Sequence, residues 1–84
     1  MRRKHRIILA AVFKRPTQAG IRWDDVESLL LACGADKEER AGSRVYFELN
    51  GVAAHFHRPH PEREARKAMV EAVRRFLTEA GIEP

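Results

Sequence analysis

Cysteine occurs once in these 84 residues, at Cys33. A single thiol excludes an internal disulfide and a cysteine-rich zinc site, and its place beside Gly34 reads as structural. Only five glycines and four prolines are present, and no segment is compositionally simple. That argues against a linker-like or disordered chain. The longest apolar run, "IILAAVF" at 7–13, falls far short of the roughly 20 residues of a membrane span, and no signal-peptide core is visible. Acidic residues are missing from the first fifteen positions, which carry Arg2, Arg3, Lys4, Arg6, Lys14 and Arg15. The expected protein is a single cytoplasmic domain spanning 1–84, without membrane contact. Sixteen Lys and Arg against twelve Asp and Glu give a net charge of +4, which suits an anionic partner.

The elements follow from periodicity. Residues 3–14 predict a helix with Ile7, Ile8, Ala11 and Val12 on its apolar face, stopped by Pro16. "WDDVESLLLACG" predicts a second helix, with Val26, Leu29, Leu30 and Cys33 at helical spacing. Asp24 and Glu27 have the spacing of a capping box, Gly34 suits the C′ position, and Trp23 reads as a core or staple residue. "SRVYFEL" and "VAAHFH" flank Asn50-Gly51, the strongest short signal for a two-residue hairpin. That turn fixes the register. Leu49 faces Val52, Phe47 faces Ala54 and Val45 faces Phe56 on the buried side. Arg44 faces His57, Tyr46 faces His55 and Glu48 faces Ala53 on the wet side. A final helix begins between Glu62 and Lys67, with Ala65, Met69, Ala72, Val73, Phe76 and Ala80 as its stripe and Gly81-Ile82 as its cap. Residues 35–41 are polar and leave a short edge strand or a loop open. The class is α+β: an antiparallel sheet with helices on one face.

"WDDVESLLLACGA", "GSRVYFEL", "HFHRPHP" and "VRRFLTEAGI" together resemble the HicA family of toxins from toxin–antitoxin systems, over residues 22–82. The resemblance implies a dsRBD-like α-β-β-β-α fold with a three-stranded antiparallel sheet, segment 35–40 being the first strand. Residues 1–15 then form an extra N-terminal helical extension. It also implies a type II mRNA interferase: a toxin that cleaves mRNA and is held inactive by a HicB-like antitoxin. The family's catalytic histidine usually follows a Gly-Ser pair. Here Gly42-Ser43 is followed by Arg44, so the chain resembles a subgroup with Gly-Ser-Arg in place of Gly-Ser-His.

Metal-independent RNA cleavage needs a base for the 2′-hydroxyl proton, an acid for the leaving 5′-oxygen and a cation at the phosphate. Histidine suits both proton transfers near neutral pH. The register makes His57 the expected imidazole, supplied from the neighbouring strand, with Arg44 as the phosphate ligand. His60 is the expected acid, or else only a helix-entry residue. Tyr46 is placed to stack on a base, or simply to pair with His55. His55, Arg58, Arg63, Arg66 and Lys67 complete the expected RNA surface, the last three near a helix N-terminus that favours anions. The plainer alternatives are that strand histidines are polar filler, and that Arg63, Arg66 and Lys67 pair with Glu62, Glu64 and Glu71. Arg74 and Arg75 flank the last helix's stripe and suit an acidic antitoxin surface. "HFHRPH" aims two imidazoles one way, but no acidic residue completes a metal set, so neither metal nor cofactor is expected. Two rivals to a nuclease stay open. One is a non-catalytic RNA- or antitoxin-binding module. The other is an interaction protein whose basic first helix binds an acidic partner or DNA.

Overall fold

Asn50 and Gly51 take positive φ values of 51° and 82°, the geometry that closes a two-residue hairpin. In the computed structural model, which describes all 84 residues, this turn joins two six-residue strands. In chain order the elements are α1 (Arg3–Phe13), β1 (Ile21–Arg22), α2 (Trp23–Ala32), β2 (Asp36–Glu39), β3 (Arg44–Leu49), β4 (Val52–His57), β5 (Glu64–Ala65) and α3 (Lys67–Glu79). Strands β2, β3 and β4 form an antiparallel sheet in that order, and β1 and β5 pair as a separate two-residue ladder. Apart from the two-residue β5, the elements from α2 to α3 run α-β-β-β-α, a dsRBD-like arrangement in the α+β class. The hairpin register is Arg44↔His57, Val45↔Phe56, Tyr46↔His55, Phe47↔Ala54, Glu48↔Ala53 and Leu49↔Val52, as expected from the turn.

Alternation sends Val45, Phe47, Leu49 and Phe56 into one core with Trp23, Val26, Leu29 and Leu30 of α2 and Val70, Val73, Phe76 and Leu77 of α3. Phe56 sits at its centre, with ring centroids 5.5 Å from Trp23 and 6.2 Å from both Phe47 and Phe76. Both core helices end in Schellman caps. Gly34 N–H donates to Leu31 O and Ala35 N–H to Leu30 O, and Gly81 and Ile82 repeat the pattern on Thr78 and Leu77. Asn50 Nδ2 donates to Ala80 O at 2.8 Å, which fastens the hairpin turn to the end of α3.

Four local expectations are corrected. The α2 start has no side-chain cap, because Arg22 occupies the N-cap and the Glu27 side chain is spent elsewhere. The buried residues of α1 are Leu9 and Val12, while Ile7 is 56% exposed. Ala65 is buried in β5 rather than on α3, paired with Ile21. Trp23 N–H also donates to Arg63 O at 2.9 Å, so the starts of α2 and α3 are tied together through backbone. Arg74 is not presented to a partner. It is buried, and its guanidinium donates to Val12 O, Lys14 O and Thr17 Oγ1, satisfying carbonyls that the end of α1 leaves open. Arg75 stays exposed.

Candidate active site

The solvent face of the sheet carries the sequence's chemistry. Arg44, His55 and His57 are exposed there and Tyr46 is half-buried. Arg44 Nε donates to Ala41 O at 3.2 Å, which fixes the root of the guanidinium at the β2–β3 turn and leaves its terminal N–H groups for an anion. The Tyr46 ring lies 4.9 Å from the His55 ring, tilted by 57°. On the other side the Arg40 guanidinium sits 4.9 Å from the Tyr46 centroid, while its Nε pairs with Glu38 at 2.6 Å. Arg40 just past β2, Tyr46 of β3 and His55 of β4 thus form one row.

His57 and His55 also reach the outer edge of β4, where a groove of about 580 Å³ separates that strand from α3. His55, His57, His60, Arg66 and Glu62 stand on it, and Phe56, Ala68, Met69 and Ala72 give it apolar walls. The structure therefore brings three histidines and two arginines, Arg58 and Arg66, to a single cleft. Arg44 and Tyr46 are not among its lining residues; they adjoin it across the hairpin. Arg63 and Lys67 are exposed near the α3 start and do not line the cleft. Arg66 bonds Glu62 at 2.9 Å, an exposed i,i+4 pair that raises the arginine's pKa and lowers the carboxylate's.

Arg58 is placed differently from its neighbours. It leaves β4 on the core side, and its guanidinium enters two carboxylates: Nε and Nη2 bond Glu27 at 2.6 and 3.2 Å, Nη1 and Nη2 bond Glu39 at 2.7 and 2.8 Å. Four of the five N–H groups an arginine owns are engaged. Trp23 Nε1 donates to the same Glu27, and Lys37 Nζ lies 3.4 Å from it. Desolvation by burial pushes the Glu27 carboxyl up. Hydrogen bonds from Arg58 and Trp23 and the charges of Arg58 and Lys37 outweigh it, so its pKa falls below the ordinary 4.5. Glu39 is lowered chiefly by its Arg58 bonds, and the same carboxylates hold Arg58 protonated.

A carboxylate whose folded pKa lies below its unfolded value stabilises the fold above the unfolded pKa and loses that contribution as pH falls through the folded one. Stability should therefore be level near neutrality and decline below about pH 4.5. Urea titrations at a series of pH values should show that decline, and Glu27→Gln should flatten it.

No three His, Cys, Asp or Glu side chains are grouped to hold one metal ion. Cys33 is half-buried, and burial pushes its thiol up, so thiolate chemistry at neutral pH is disfavoured. No helix is long and apolar enough to cross a membrane.

Sequence reasoning missed the Glu27–Arg58–Glu39 cluster and Arg40. The signal for the cluster was available in part. Once β2 pairs with β3 as Lys37↔Phe47 and Glu39↔Val45, those two exposed charges share the side of the sheet toward which Arg58 leaves β4. No curated protein and no solved structure matches the chain. The family model described as HicA toxin of bacterial toxin–antitoxin matches residues 23–82, which cover α2 through the end of α3 and hold the whole histidine cleft. The α-β-β-β-α core, its polar sheet face and this match over most of the chain converge: the protein belongs to the HicA toxin family.

Proposed function

We propose that this toxin is a metal-independent endoribonuclease acting on mRNA, with His57 as its catalytic imidazole. The observation that carries the reading is the hairpin register, which sets His57 opposite the Arg44 that follows Gly42-Ser43. An imidazole lost from one strand is thereby restored from its neighbour on the same face. His57 takes the 2′-hydroxyl proton, Arg44 holds the phosphate and neutralises the charge that develops on it, and His60 at the cleft returns a proton to the leaving 5′-oxygen. Tyr46 offers a stacking surface, flanked by His55 and Arg40. Arg63, Arg66 and Lys67 lie where the RNA backbone leaves the cleft and contribute salt-dependent affinity. Arg58 is given a structural part here, because its donors are already occupied. The first fifteen residues add α1, which packs on α2 through the Lys4–Asp25 and His5–Ser28 contacts.

One observation favours a second reading. Gly-Ser-Arg replaces the resembled Gly-Ser-His, and a chain that lost its imidazole would bind RNA or a HicB-like antitoxin without cleaving. Induced expression in a host without antitoxin separates the two. Growth arrest with RNA loss, removed by His57→Ala, is the expected result. Tight RNA binding with intact RNA would place the chain with the binding modules.

A further inference from the structure

We infer that the outer edge of β4 is a docking edge for one extended strand of a protein partner, apolar toward α3 and acidic beside His57. The sheet has two edges, and they are built in opposite ways. The β2 edge is Asp36-Lys37-Glu38-Glu39, four exposed charges that discourage strand addition. The β4 edge is Val-Ala-Ala-His-Phe-His, with no Lys, Arg, Asp, Glu or Pro across six residues. Such an edge is normally covered or blunted. Here no strand covers it.

The register says which groups are free. Leu49 and Val52 close the hairpin, so the hydrogen-bonded pairs are Leu49–Val52, Phe47–Ala54 and Val45–Phe56. The N–H and C=O groups of Ala53, His55 and His57 therefore point outward. Beside them the cleft continues along α3 as a smaller channel of about 210 Å³, walled by Ala54, Phe56, Ala72 and Phe76 and flanked by Arg75 and Glu79, one charge of each sign. Alternate side chains of an added strand would fall into this channel, which gives the apolar half of the partner. Charge gives the other half. Three imidazoles and Arg66 stand at the His57 end, exposed Arg63 and Lys67 make no ion pair, and the one acid of the cleft, Glu62, is already bonded to Arg66. An RNA chain suits this edge less well, because its phosphates only accept hydrogen bonds and its 2′-hydroxyls do not repeat the alternating N–H and C=O pattern that a strand edge pairs with. The family implies a cognate antitoxin, and a strand from it would cover His55 and His57 together. That last consequence rests on the proposed active site; the docking edge itself does not.

The test uses the full chain and a synthetic, end-capped heptapeptide of alternating glutamate and valine, followed by amide NMR. Saturable shifts are expected at Ala53, His55 and His57 at millimolar peptide, with slowed exchange of those amides and none at Asp36–Glu39. Ala53→Pro removes one outward N–H without touching the β3 ladder, and should weaken the peptide at least ~10-fold while leaving RNA cleavage unchanged. A melting curve confirms that the variant folds, and N-methylation of single peptide amides repeats the test from the partner's side. Absence of saturable shifts up to about 10 mM, shifts centred on β2, or full affinity in Ala53→Pro would overturn the proposal. So would a uridine oligonucleotide that protects the same three amides, which would assign the edge to RNA. Loss of peptide binding and loss of cleavage are separate readouts, so failure of the nuclease reading leaves this one testable.

Discussion

Replacing His57 by alanine is expected to lower RNA cleavage by about 100- to 10,000-fold, the usual contribution of a positioned general base. The fold should not change. His57 is exposed, its Cα partner is the exposed Arg44, and Val52, Ala54 and Phe56 of β4 lie on the opposite face. A fluorogenic RNA substrate gives the rate and a melting curve gives the control. Arg44→Lys keeps a positive charge but loses the planar fork, so it should weaken cleavage less than Arg44→Ala does. A His57→Ala protein cleaving at the original rate would remove the imidazole from the mechanism and return Arg44 to simple phosphate binding.

Arg58→Ala is expected to destabilise the protein by about 2–3 kcal/mol, the lower side of what breaking a buried pair costs because the arginine is 30% exposed. For a domain of this size that is a fall in Tm of roughly 10–20 °C. The cause is Glu27. Its side chain is only 11% exposed, and without Arg58 it keeps Trp23 Nε1 and a distant Lys37 as partners. Replacing both members, Glu27→Leu with Arg58→Met, should recover most of the loss, since paired apolar groups avoid desolvating a lone charge. Thermal melts of the two single variants and the double variant measure the coupling. If Arg58 instead served RNA directly, its alanine variant would melt normally and bind RNA weakly.

Particular residues explain what could be read in advance. The hairpin was legible because alternation and Asn50-Gly51 specify the same register independently. The helix ends at Gly34 and Gly81 were legible because a positive φ there excludes most other residues. β2 was not legible from its own residues. "DKEE" has no apolar alternation, and its place came only from the family resemblance. β1 and β5 are two residues each, too short for any period, and their pairing is a long-range contact between Ile21 and Ala65. Glu27 was misread because its spacing from Asp24 fits a cap, and a cap is a local bond. Its actual partner, Arg58, lies 31 positions away, and a local pattern does not contain it. The site divides in the same way. The Arg44–His57 and Tyr46–His55 pairs come from the register. The cleft that adds His60 and Arg66 depends on how α3 packs beside β4, which is tertiary information.

The central claim is that a histidine pair, without metal, turns the RNA's own 2′-hydroxyl on its phosphate. The direct measurement is the chemistry of the ends produced when the purified protein acts on a defined single-stranded RNA in excess EDTA. The account predicts cleavage that survives the chelator and leaves a 2′,3′-cyclic phosphate beside a 5′-hydroxyl. Cleavage that stops in EDTA, or fragments bearing 5′-phosphate and 3′-hydroxyl ends, would contradict it.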